Sequence, residues 1–430
     1  MEPLVFTGKY TDCKVFAPEV EASAIQRIFS FLNCPVFAGV QIRIMPDVHE
    51  GKGAVIGFTA HVGDKVIPNV IGVDIGCGVQ GVKSSEKADK VFFTEFDKWL
   101  RAEVPAGKNH RVKPYKDLER VYLEMIGNQS QWSDFEKGIE RVGRLVAQSP
   151  FQIWCQVGTL GGGNHFIELD EDLQGDTWLT VHSGSRNFGK RVAEWYQTQA
   201  CIERGFSKTN ELAWLEGQSA QDYLRDMRVA QTMALLNRLV MIDALVQFTG
   251  GANRVWDRKD SLITSVHNFI GDDDIVRKGA ISAHEGEKII LPLHCAAGLL
   301  IGVGKGNADW NNSAPHGAGR KMSRGDARRG ISMHAYEKVM TEAGVFSTCV
   351  GENTLDEAPQ AYKDPAVIEE CIADTMGITD RLRPVYSFKA SEDPDKKRAK
   401  QERKFKRERA DADAVANLTL DGVPDVDEDV

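Results

Sequence analysis

Val55-Ile-Gly-Phe-Thr-Ala-His-Val62 and, four positions on, Val66-Ile-Pro-Asn-Val-Ile-Gly-Val73 decide how this chain folds. Both runs are short, rich in β-branched residues and bordered by Gly, Asp, Asn or Pro, which is the pattern of strands. No helix fits between them, so strand and helix do not alternate strictly and the fold reads as α+β, not as a doubly wound sheet. Working outward, strands are expected at 40–45, 178–181, 261–266 and 299–303. Helical periodicity is clearest over 219–248, where Leu224, Met227, Leu235, Leu239, Ile242 and Leu245 recur behind a Ser-x-x-Asp start. Shorter helices are expected at 19–31, 117–126, 188–202, 332–342 and 365–376. The picture is one large body over 1–391, with mixed short-stranded sheets and surrounding helices.

At 430 residues the chain is long enough for two or three domains of about 150 residues, or for one large enzyme domain. No linker or internal repeat divides it before about Ser391, which favours the single body. With 42% apolar and 27% charged residues it is an ordinary globular protein. The longest near-continuous apolar stretch, 296–304, falls short of the roughly 18 residues that span a bilayer, and the first residues have no export pattern. The eight cysteines include no C-x-x-C pair and read as cytosolic thiols. A cytoplasmic protein without a membrane partner is therefore expected.

The formal net charge of −9 argues against a nucleic-acid partner, but the average hides a concentration. Between Lys396 and Arg409 nine basic residues stand against two acidic ones. This run belongs to a polar tail over 392–430 that has too little apolar content for a core and is expected to be disordered or a lone helix. Basic groups also gather at Arg186, Lys190 and Arg191, at Arg277 and Lys278, and at Arg320, Lys321, Arg324, Arg328 and Arg329. Each of these is equally a solvated surface charge.

The chemistry lies where strand ends meet His, Cys or Asp beside glycines. The stretches are Met45-Pro-Asp-Val-His-Glu-Gly-Lys-Gly53, Gly72-Val-Asp-Ile-Gly-Cys-Gly78, Gly161-Gly-Gly-Asn-His-Phe-Ile-Glu168, Val181-His-Ser-Gly-Ser-Arg186 and Pro315-His-Gly-Ala-Gly-Arg320, with Val266-His-Asn-Phe269 as a sixth. Asp74 and Cys77 share a glycine-rich turn that lets both side chains face one point. His165, His182 and His267 each adjoin a strand-like run, and strand ends meeting at one face assemble a site from distant sequence. A Cys/Asp/His₃ set suits Zn, Mn, Co or Fe, and it exceeds the four ligands of one tetrahedral ion, which points to two ions. The same residues admit a plain reading, with each imidazole satisfied by a main-chain carbonyl and Cys77 a small buried residue. Histidines 61, 110, 284, 294 and 334 have no such setting. Two nucleotide chemistries are excluded: Leu299 and Gly306 break the P-loop pattern around Gly304-Lys305, and Thr419 replaces the lysine of a Lys-x-Asp-Gly motif at Asp421-Gly422.

In this order Pro46-Asp-Val-His-Glu-Gly, Gly72-Val-Asp-Ile-Gly-Cys-Gly, Gly162-Gly-Asn-His-Phe-Ile-Glu, His182-Ser-Gly-Ser-Arg, Met227-Arg-Val-Ala, His267-Asn, Arg277-Lys-Gly-Ala, Gly304-Lys-Gly-Asn, His316-Gly-Ala-Gly-Arg-Lys-Met-Ser-Arg and Ala361-Tyr-Lys-Asp resemble the motifs of the RtcB-type RNA-splicing ligases. The resemblance covers about 40–390. It implies an enzyme of RNA repair or tRNA splicing that uses GTP and manganese, with two ions, to join 2′,3′-cyclic phosphate or 3′-phosphate ends to 5′-hydroxyl ends. By matching motifs, Asp74, Cys77, His165, His182 and His267 would hold metal, and His316 would carry GMP. Asn164, Glu168, Asn268, Gly317, Ala318, Gly319 and Lys389 would surround the nucleotide. Arg186, Arg320 and Arg324 would hold RNA phosphates, and an archease-like helper is a further implied partner.

The chain departs from the family at Pro292-Leu-His-Cys-Ala-Ala-Gly-Leu299, where His294 and Leu299 stand in place of two serines near the nucleotide, and in its tail. These departures leave two other readings open: a nucleotidyl transferase that caps 3′-phosphate ends of DNA or RNA without sealing them, and a non-catalytic RNA-binding paralogue.

Overall fold

The structure is a computed structural model that describes residues 2–87, 90–250 and 252–390. The tail expected over 392–430 lies outside the described residues.

The fold is α+β. One sheet has six strands in the order Leu4–Thr7, Asp12–Val15, Ile42–His49, Ile56–His61, Ile275–Lys278 and Asn268–Ile270. The other has seven, in the order Ile263–Val266, Gly78–Lys83, Thr177–Ser183, Phe166–Glu171, Met376–Lys389, Leu299–Gly304 and Lys288–Pro292. Register in the second sheet builds the site. Val266 pairs with Gly78, Val79 with His182, and His182 with Phe166 in three antiparallel ladders. The starts of two strands and the ends of two others therefore lie at one sheet edge. Cys77, His165, His182 and His267 sit at those four positions.

Against this sheet packs the helix Gln218–Gly250, 33 residues long. Of the residues that carry its period, Met227, Leu239, Ile242 and Leu245 are buried, whereas Leu224 and Leu235 are half-buried. It is long and apolar enough to cross a membrane by composition, but 78% of its most apolar window is buried inside the protein. A helix apolar on all sides here belongs to the core.

Among the elements that the sequence misplaces or misses, three have a clear local cause. Lys65–Val66 is only a two-residue bridge, and Pro68–Ile71 is one helical turn where a strand was expected over 66–73. Pro68 occupies the first helical position, where its preset φ and missing N–H cost nothing. The strand Gly78–Lys83 was not anticipated, because Gly78 and Gly81 dilute its β signal. The helix expected over 365–376 ends at Cys371, and Met376 begins the 14-residue strand Met376–Lys389. Pro384 sits at a register shift in that strand, where the ladder does not need its missing N–H.

Candidate active site

The turn from Gly72 to Gly78 places the first two donors. Gly76 has φ +70°, and a Cβ there would lie 2.9 Å from Gln231 Cα on the core helix, so only glycine lets the turn seat so closely. From Asp74 the donors run in a chain. Asp74 Oδ2 is 3.0 Å from His165 Nε2. Cys77 Sγ is 3.2 Å from His165 Nε2 and 3.4 Å from His182 Nε2. His182 Nε2 is 3.4 Å from His267 Nε2. All four Cys and His side chains are buried.

His182 Nδ1–H donates to the Asn164 carbonyl at 3.1 Å, so its Nε2 offers a lone pair toward Cys77 and His267. Burial, followed by neighbouring His165, His316 and Lys389, pushes the His182 pKa well below its ordinary value, and burial with His316 does the same to His267. Burial first, then Asp74, drives the Cys77 thiol up. Cys77, His165 and His182 thus bring a thiol and two imidazole nitrogens within 4.8 Å of one another, with Asp74 and His267 at either end. The donor set therefore fits a borderline divalent metal.

Two consecutive core-helix residues brace this arrangement, and the sequence reading missed both. Arg238 is fully buried and donates through Nη1 to the Gly76 and Ser183 carbonyls, each at 2.7 Å. These carbonyls adjoin Cys77 and His182. Asn237 Oδ1 accepts from Gly158 N at 2.8 Å and Thr159 N at 3.0 Å, while its amide donates to Gly184 O at 3.0 Å. The available signal was a polar Asn-Arg pair inside the apolar run Leu236 to Met241.

Beside the donors stands His316, its ring 4.8 Å from that of His267. His316 Nδ1 lies 2.6 Å from Asp47 Oδ2, and the His316 backbone N–H donates to the same oxygen at 3.2 Å. Asp47 is fully buried. The carboxylate takes its hydrogen bond from Nδ1–H and so leaves Nε2 free for another partner. Gly319, at φ +72°, allows the closeness: a Cβ there would be 2.5 Å from the Asp47 carbonyl. Asp47 lies in the 45–53 motif, but the sequence assigned it no role.

The donors, His316, Asn164, Glu168, Asn268, His294, Gly317, Ala318, Gly319, Tyr362 and Lys389 all line one cavity of about 1100 Å³. Asn268 clamps the donor turn, donating to Asp74 O at 3.2 Å and accepting from Gly279 N at 3.0 Å. Glu168 accepts from the Ser387 hydroxyl at 2.7 Å, and burial raises its pKa. Lys389 Nζ lies 3.6 Å from Glu357, whose charge with that of Cys295 and Glu168 outweighs burial and raises the lysine. Leu299 does not line the cavity. It is 1% exposed in an apolar cluster with Val79, Phe166 and Leu382, so of the two positions expected beside the nucleotide only His294 faces this cavity.

The arginines divide. Arg320 donates to Asp356 O at 2.7 Å and approaches Glu357 at 3.4 Å, and Arg324 pairs with Glu357 at 2.6 Å and Asp356 at 2.8 Å. Both line the large cavity but already face carboxylates. Arg186 instead lines a second cavity of about 620 Å³ with Lys108, Lys190 and Arg191, which also touches Asp74 and His165. Arg277 and Lys278 are buried, so they are no surface patch. Arg277 pairs with Asp273, and Lys278 Nζ donates to the Lys52 and Asn69 carbonyls.

Fold and site define the class: a single-domain α+β protein with a candidate metal centre opening on a nucleotide-sized cavity. The family model for the tRNA-splicing ligase RtcB matches residues 32–390. The chain is 30% identical over 397 residues to the RNA-splicing ligase RtcB of Escherichia coli K12, covering 86% of this chain and 95% of that protein. It is 27% identical over 396 residues to the tRNA-splicing ligase RtcB of Pyrobaculum aerophilum, covering 75% of this chain and 81% of that one. The chain belongs to the RtcB family.

Proposed function

We propose that this chain is an RNA ligase that joins 2′,3′-cyclic phosphate or 3′-phosphate ends to 5′-hydroxyl ends, using GTP and manganese, through a guanylylated His316. The observation that carries the reading is His316, held through Nδ1 by Asp47, beside a group of Cys77, His165 and His182 whose donor atoms lie within 4.8 Å of one another. Asp74, Cys77, His165, His182 and His267 would hold the metal. A bound divalent ion there neutralises charge on a triphosphate and on the leaving pyrophosphate.

His316 Nε2 attacks the α-phosphorus of GTP, forming an N–P bond as the P–O bond to pyrophosphate breaks. Asp47 holds the Nδ1 proton and stabilises the positive charge that develops on the ring. Where the end is a 2′,3′-cyclic phosphate, water first opens the ring at the P–O2′ bond; a 3′-phosphate oxygen of RNA then displaces His316 and takes GMP. Attack by the 5′-hydroxyl oxygen on that activated 3′-phosphorus expels GMP and closes the strand. Glu168 and Lys389 offer an acceptor and a donor to the base, and Gly317 and Gly319 let the main chain approach the phosphates. Arg186 meets the RNA backbone from the second cavity, while Arg320 and Arg324 must exchange Asp356 and Glu357 for phosphate. Eight free cysteines fit a reducing, cytoplasmic setting. A helper of the archease kind belongs to the same reading.

The test uses labelled GTP with manganese, then an RNA bearing 3′-phosphate and 5′-hydroxyl ends. Wild type acquires acid-labile label and seals the RNA, and His316→Ala does neither while keeping its metal content. Capped but unsealed RNA identifies a capping enzyme. Binding without label identifies an RNA-binding paralogue.

A further inference from the structure

The motif Ala361-Tyr-Lys-Asp brings Tyr362 to the wall of the large cavity, whereas the lysine beside it lies behind that wall. Lys363 Nζ donates to the Pro46 carbonyl at 3.1 Å and to the Val48 carbonyl at 2.8 Å, the residues on either side of Asp47. Alternate carbonyls of an extended chain point the same way, so one ammonium reaches both. The pairing of Ile42–His49 with Ile56–His61 shifts register between Ile44 and His49, across the stretch that carries Asp47. Such an irregularity breaks the ladder and leaves main-chain groups to find other partners. The main chain of Lys363 holds the other side of the pair. Its N–H donates to Gly319 O at 3.0 Å, Lys321 N donates to Ala361 O at 3.0 Å, and Arg320 and Tyr362 form an antiparallel bridge between them. One residue thus ties 46–48 to the loop that carries His316. Burial pushes the Lys363 pKa below its ordinary value, and of the charges that oppose this the one on Asp47 is the largest.

We infer that Lys363 is a positioning residue for transfer to His316: it fixes the backbone around Asp47 and binds that backbone to the His316 loop, so that the carboxylate holds the imidazole at the angle needed for attack. The inference rests on the proposed guanylylation of His316. In-line attack tolerates little rotation of the ring, and a displacement of about 1 Å can cost on the order of 10²-fold in rate. Because Lys363 acts through Asp47 and does not face the cavity, its loss slows attack without weakening the hold on GTP or on metal. Lysine suits the task, since its ammonium carries three donors and a charge that also faces the Asp47 carboxylate. An apolar side chain of the same length leaves the Pro46 and Val48 carbonyls without this partner.

The experiment follows covalent labelling by GTP over a range of GTP concentrations in the full chain, in Lys363→Met, Lys363→Arg and Asp47→Asn, and in the double variant Lys363→Met/Asp47→Asn. In Lys363→Met the maximal rate should fall by roughly tenfold or more, while the GTP concentration at half-maximal rate and the bound manganese stay within about twofold of wild type. Lys363→Arg, which keeps the charge and the donors, should recover most of the rate. In the Asp47→Asn background Lys363→Met should cost almost nothing further, because residues that act through one another are not additive. Losses that multiply in the double variant overturn the inference, since a merely structural lysine would weaken both backgrounds alike. An unchanged maximal rate in Lys363→Met overturns it too, as does a change confined to the half-saturating GTP concentration, which would place the lysine on the nucleotide. If Lys363→Met melts below the assay temperature, Lys363→Gln, which keeps one amide donor and loses the charge, carries the same cycle. Wild type that takes no label from GTP brings down the proposed function itself.

Discussion

Asp47 shows how much of this site is decided by single atoms. One buried carboxylate oxygen receives both Nδ1 and the backbone N–H of His316, and this orients the ring and its tautomer together. Asp47→Asn preserves the shape but removes the charge that supports the imidazole during attack. Labelling of His316 by GTP should fall by roughly 10²-fold or more, with metal content intact; an unchanged rate would show that His316 needs no such partner. Leu299 makes the opposite case. Leu299→Ser would install the serine that the resemblance leads one to expect, yet the hydroxyl would enter an apolar cluster without a partner. Stability should drop by about 1–3 kcal/mol in denaturant titration, with nucleotide choice unaltered. The motif spacing revealed that position 299 departs from the family, but whether that residue faces a ligand or the core depends on strand register.

Among the elements, the core helix has a second task beyond burial. Asn237 and Arg238 interrupt its apolar surface to hold the backbone beside Cys77, His182 and the 158–159 loop. Arg238→Met keeps volume and removes both donations, leaving the Gly76 and Ser183 carbonyls without this partner. The donor turn should loosen: manganese retained after dialysis should fall several-fold, and the protein should melt lower, since each orphaned buried acceptor costs about 1–3 kcal/mol. Full metal retention in a destabilised variant would confine Arg238 to a structural role. The helix itself was legible, because a 3.6-residue period over many turns overrides local noise. The strand Gly78–Lys83 was not, because its glycines carry no pattern and the strands it pairs with are distant in sequence.

At the scale of the whole molecule, two cavities meet at Asp74 and His165, and the charges around them are largely paired. Arg320 and Arg324 face Asp356 and Glu357, so a polyanion must compete for them. We propose the division into a ligase body over 1–391 and a charged tail over 392–430, whose basic run adds positive charge that acts on a polyanion at long range. Removing 392–430 should weaken RNA binding at low salt and flatten its salt dependence by about one counterion per lost phosphate contact, without changing labelling of His316. Equal affinity with and without these residues would show that the basic run takes no part in RNA binding.

The sequence by itself determined the α+β class, the core helix, the absence of a P-loop and the set of residues able to carry chemistry, because these depend on residue type and local period. It could not decide which of those residues meet. Antiparallel register brought His165, His182, His267 and Cys77 to one sheet edge, since pairing of Val266 with Gly78, Val79 with His182, and His182 with Phe166 joins positions far apart in the chain. Only the tertiary structure joined Asp47 to His316, buried Leu299 away from the cavity, and moved Arg277 and Lys278 inside. Each of these depends on a partner distant in sequence, and local propensity holds no record of such partners.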